Sequence, residues 1–130
     1  MQKKKIVVLV LVLVAIILVC GIIIAVIKIN FPKVKSFQTQ DYQYYIENFS
    51  SDENVGSISN ARGATKKAET VWLKLYGKNI KKEKPYQVFY DEKSDVWLVT
   101  GSMKSNAKGG VAHIIMEGDT GKVLAVWHEK

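Results

Sequence analysis

Cysteine is almost absent from this chain: Cys20 is the only one in 130 residues, so no internal disulfide and no thiolate metal site can form. Histidine is scarce too. His113 and His128 are the only two, with no His-x-x-x-His pattern and no cysteine pair to complete a zinc site. Also missing are a Gly-x-Ser-x-Gly elbow, a glycine-rich phosphate loop, a paired-carboxylate signature and an Asp-x-Asp-x-Asp-Gly loop. Acyl transfer, nucleotide chemistry and calcium binding therefore have no motif to stand on, and we expect no enzyme, no cofactor and no metal. Tyr86, Tyr90 and His113 are residue types that acid–base chemistry uses, yet no partner geometry is announced around them, and a structural role explains them.

Charge is missing from one long stretch. Ile6–Ile27 holds 22 residues without a charged side chain and comes directly after Lys3, Lys4 and Lys5. As a helix it would span roughly 33 Å, enough for a hydrocarbon core of about 30 Å. A cleaved signal has a shorter apolar core and a small-x-small cleavage site, and no Ala-x-Ala pattern occurs over Ile22–Phe31. Val19 stands before Cys20 where a lipoprotein signal would carry a small residue, so Cys20 reads as a lipid-facing apolar position. We expect an uncleaved anchor over residues 6–29, a tail over 1–5 and a stalk over 30–40. Positive residues tend to stay inside. Lys28, Lys33 and Lys35 nearly balance Lys3–Lys5, but the N-terminal cluster is tighter. The expected location is the cell membrane, single-pass, with the C-terminal domain outside the cytoplasm.

The chain beyond the anchor is long enough for one small domain. All 13 aromatic residues lie after the apolar run, which argues for a folded unit over residues 41–130. From Asn30 onward the chain has 15 basic and 12 acidic residues, a balance of +3 that gives little reason to expect nucleic acid as a partner. Asn48-Phe49-Ser50 matches a glycosylation triplet, a pattern common by chance.

The periods change along this domain. Tyr42, Tyr45, Ile46 and Phe49 share one helical face. Ala61, Ala64, Ala68, Val71, Trp72, Leu75 and Tyr76 form a longer stripe, with Ser59 or Asn60 to cap its start and Gly77 its end. From Pro85 the period is two: strands are expected at Pro85–Tyr90, Val96–Met103, Val111–Glu117 and Lys122–His128. Asp91, Glu92 and Asp95 suit the first turn, and Gly118-Asp119-Thr120-Gly121 suits a tight hairpin. The fold class is α+β: one or two helices packed on one face of a four-stranded antiparallel meander. Trp72, Trp97 and Trp127 are expected in its core.

Lys78, Lys81, Lys82 and Lys84 crowd the link between helix and sheet, and Lys104, Asn106 and Lys108 lie in a later loop. Such runs are commonly solvated. Their functional alternative is contact with an acidic partner surface or with anionic lipid head groups. These six lysines are the candidate partner-binding residues.

Several pieces occur in a familiar order. They are Ala68-Glu69 with Val71-Trp72, Tyr76-Gly77-Lys78 with Ile80, and Lys84-Pro85-Tyr86 with Val88. Then come Trp97-Leu98-Val99-Thr100-Gly101, Gly109-Gly110-Val111, and Gly121-Lys122-Val123-Leu124 with His128 and Lys130. Over residues 58–130 the chain resembles small bacterial immunity proteins of nuclear-transport-factor-2-like fold. The resemblance implies a curved sheet with helices over it, a protein toxin as partner, neutralisation by binding, and no catalytic residues. A PepSY-like domain, a helix followed by antiparallel strands, is the nearest alternative. It would make the chain a membrane-tethered regulatory or inhibitory module.

Overall fold

The computed structural model describes residues 2–30, 32–104 and 108–130, in two compact units divided after Phe31. The first unit is helix α1, Gln2–Asn30. It is long and apolar enough to cross a membrane, and its described apolar side chains, Cys20 among them, are exposed. The helix also takes in Lys3–Lys5, expected as a tail; Gln and Lys are good helix formers, so extending the helix through them costs little.

The second unit is α+β and holds five strands: β1 Val34–Ser36, β2 Gln87–Asp91, β3 Val96–Thr100, β4 Ala112–Glu117 and β5 Val123–His128. They lie in the order β1-β2-β3-β4-β5. The expected four-strand meander is present as β2–β5, antiparallel throughout. The count is corrected to five by β1, which pairs parallel to β2, with Val34 opposite Val88. It arises from residues 30–40, expected as a stalk; three residues are too few to display a period.

Helix α2, Gln43–Asn48, comes after a 3-10 segment at Thr39–Tyr42, and helix α3 spans Ala61–Tyr76. The Asn60 side chain caps α3 by accepting the Gly63 N–H at 2.8 Å, and Gly77 ends it at φ 79°, a conformation suited to glycine. Ala61, Ala64, Ala68, Val71 and Trp72 are buried on this helix, as the stripe predicts. Leu75 and Tyr76 are not: at the last turn of α3 they are 49% and 38% exposed.

The helices cover both faces of the sheet, not one as expected. On one face α3 packs over Val88, Trp97, Val99, Ile114 and Met116, with Trp72 edge-to-face against Tyr86 at 5.1 Å. On the other, Phe37, Tyr42, Tyr45 and Ile46 cover Leu98, Ile115, Ala125 and Trp127. Tyr45 stacks on Trp127 at 4.2 Å. Every residue of β3 is buried, as a central strand covered on both sides requires. All three tryptophans are in the core, at 0%, 6% and 5% exposure for Trp72, Trp97 and Trp127.

Two side devices hold the second layer. Asp91, expected in a turn, ends β2 instead; Thr39 donates to its Oδ2 through both N–H (2.8 Å) and hydroxyl (2.7 Å). These bonds hold its carboxyl well below the usual range, at about 2. The outer edge of β5 and the hairpin after β4 are stitched to residues 49–58. Val126 donates to Phe49, Val123 to Glu53, Val55 to Gly121 and Ile58 to Gly118. Gly121 is required there, because a Cβ on it would lie 2.0 Å from the Gly56 carbonyl oxygen.

Candidate partner-binding groove

The six lysines do not form one patch. After Gly77 the chain turns through a 3-10 segment, Lys78–Glu83, which buries Ile80 and leaves Lys78, Lys81 and Lys82 in solvent. Lys84 is turned back on the helix. Its Nζ lies 3.1 Å from Glu69 Oε2 and 5.7 Å from the centre of the Tyr86 ring. Tyr86 donates its hydroxyl to the same Glu69 oxygen at 2.6 Å. That bond, aided by Lys84, pulls the Glu69 carboxyl down, while burial and then Glu69 push the Tyr86 hydroxyl up.

Lys82, Lys104 and Lys108 do come together. They line a groove of about 280 Å³ between the 3-10 segment, the loop after β3 and the end of β5, with Met103 and Val111 as apolar lining. Asn106 of that loop lies outside the described residues. Lys78, Lys81 and Lys84 do not line the groove.

Glu83 holds the groove together. Its Oε1 accepts the Ala112 N–H at 2.7 Å, its Oε2 lies 3.0 Å from His128 Nε2, and its carbonyl accepts the Ser102 N–H at 2.7 Å. The last bond draws the chain away from the sheet, which is why β3 stops at Thr100 rather than reaching Met103. Gly101 passes beside this carboxylate with no space for a side chain, since a Cβ would lie 2.3 Å from Glu83 Oε1. Ser102 donates its own hydroxyl to the Pro85 carbonyl at 2.5 Å.

The histidines occupy opposite faces of the sheet. His128 pairs with Ala112 on the α3 side and meets Tyr76 edge-on at 5.4 Å. His113 pairs with Trp127 and stacks on its ring at 4.8 Å. Its Nε2 is 3.2 Å from Glu129 Oε1, within ion-pair distance but not aligned for a hydrogen bond. Burial lowers the affinity of His113 for a proton, and Glu129 opposes that only in part. Among the described residues no group of three or more His, Cys, Asp or Glu side chains is placed to hold a metal.

The arrangement presents positive charge around exposed apolar atoms, with Met103 at 50% and the neighbouring Tyr76 at 38% exposure. Sequence reasoning named the three lysines but missed Glu83, Met103 and His128. Glu83 stands inside a Lys-rich run, where nothing distinguishes a fixed carboxylate from a solvated one.

Comparison with known protein families gives a match over the second half of the chain. The sequence profile described as NTF2 fold immunity protein covers residues 63–130, from the first turn of α3 to Lys130, and so takes in every residue of the groove. Among characterised proteins and solved structures, none matches the chain.

Proposed function

The chain belongs to the family of immunity proteins with the nuclear-transport-factor-2-like fold, and from that premise we propose that it protects the cell that makes it by binding and blocking a protein toxin at the membrane. The family match is the observation that carries this reading, and it favours immunity over a PepSY-like regulatory module. Neutralisation is stoichiometric, through complementary shape and charge, and this chain performs no catalysis. In support, the Glu83 carboxylate is committed to Ala112 and His128, and Ser102 donates to a backbone carbonyl instead of a base.

Helix α1 is the anchor in this reading. It is uninterrupted over Gln2–Asn30, and its apolar run exceeds what a cleaved signal needs. The lysines before it stay inside, and the domain meets its toxin outside. Coexpression with the product of each neighbouring toxin gene tests the function. Survival well above an empty vector is expected with one of them, and survival no better than the vector with all of them overturns the reading. A reporter fused after Lys130 that works only outside the cytoplasm is the expected topology result; activity inside reverses the orientation.

A further inference from the structure

We propose that the groove walled by Lys82, Lys104 and Lys108 is where an acidic, extended segment of the toxin docks. This rests on the toxin-binding reading and specifies its surface and the chemistry of the occupant. Three observations converge on it. The three lysines come from two separate stretches of chain, yet line one groove. Among the described residues none of them has an ion-pair partner, whereas Lys74 and Lys84 are paired with Glu53 and Glu69.

The one carboxylate lining the groove is withdrawn from them. Glu83 directs both oxygens elsewhere, one to the Ala112 N–H and one to His128. Three lysines against this one carboxylate leave the groove with net positive charge, and none of the three is ion-paired to it. Met103, half exposed, adds an apolar surface to the groove, and Tyr76, partly exposed, lies against the groove residue His128. An apolar centre inside a charged rim is the arrangement of a protein-binding patch. A volume of about 280 Å³ lies just below the usual range for small-molecule sites and suits a few side chains of a peptide segment. Carboxylates on that segment would meet Lys82 on one wall and Lys104 and Lys108 on the other.

The test uses the full chain in neutral maltoside micelles, with methionine methyl groups labelled for NMR and hexaglutamate peptide as probe. The expected result is a saturable shift of the exposed Met103 methyl while buried Met116 stays in place. Combining Lys82→Glu, Lys104→Glu and Lys108→Glu should weaken binding by at least about tenfold, since three attractions become repulsions. Lys66→Glu, Lys93→Glu and Lys122→Glu together change the net charge equally on exposed sites elsewhere and should leave binding within about twofold. Equal binding by the two triple variants overturns the groove. So does a Met103 shift produced by phosphatidylglycerol in the micelle but not by the peptide, which would make this a lipid site.

In cells, the groove variant should lose protection that the control variant keeps. A wild-type chain that protects against no neighbouring toxin overturns the toxin reading itself; the peptide titration still decides whether the groove takes acidic chain.

Discussion

Replacing Asp91 with alanine removes the acceptor that ties the N-terminal segment to the sheet. Thr39 then loses both the 2.8 Å bond from its N–H and the 2.7 Å bond from its hydroxyl, and the 3.3 Å bond from Ser94 N–H goes with them. A hydrogen bond to a charged group contributes about 1.5–3 kcal/mol, and a part-buried N–H left without a partner adds a desolvation penalty. The two short bonds share one oxygen and are not additive, so we expect a loss of about 3 kcal/mol. For a domain of this size that is a large fraction of a total of about 5–15 kcal/mol.

The pH dependence gives the same contact a second signature. The folded carboxyl, at about 2, lies below its ordinary 3.8. The stabilisation is therefore complete above about pH 4 and is lost as pH falls from there towards 2. Urea unfolding of the full chain in micelles, followed by tryptophan fluorescence, measures both effects. Asp91→Ala should lower the midpoint at neutral pH and flatten the acid limb between pH 4 and 2, and hydrogen exchange should quicken at Val34–Ser36. A change below about 0.5 kcal/mol, or an acid limb as steep as in the wild type, would refute the clasp.

Burial disfavours the protonated form of His113 in the folded state, so stability should be full above about pH 6.5 and fall as pH drops below it; His113→Phe should remove that loss in melts compared at pH 7.5 and 5.5. Gly121→Ala forces a Cβ into the Gly56 carbonyl at a positive φ and should cost about 3 kcal/mol or more, read by the urea midpoint. Gly77→Ala meets open space and carries only its backbone strain, so it should cost less. Trp72→Ala empties a site with no solvent exposure and should cost about 3–5 kcal/mol, enough to lower the amount of folded protein recovered from cells.

Long periodic segments were legible in advance. Helix α3, its Asn60 cap and the four strands β2–β5 follow from spacings that repeat over five or more residues. Strand β1 was not, because three residues with Lys35 at the centre carry no period and gain their order only from β2. The second covered face was partly written in Val96-Trp97-Leu98-Val99, an apolar run that a one-sided sheet does not need. Recognising it requires a short aromatic helix to lie across β5, a long-range event. The groove divides in the same way. Its lysines are visible as a charge run, but which of them stay unpaired depends on Glu69 taking Lys84 and on Glu83 turning towards Ala112, contacts set by tertiary packing.

Under the proposal that α1 anchors the chain, the strip of backbone sewn along β5 has a further consequence. Copies confined to two dimensions meet far more often than copies in bulk water. A bare sheet edge would offer each neighbour a template for zipping into an open-ended ribbon. Here Val123 and Val126 already spend their edge N–H groups on Glu53 and Phe49. The opposite edge, β1, is only three residues long. Crowding can raise the density of such molecules without fusing their sheets through β5, so each added copy brings its own surface to a partner.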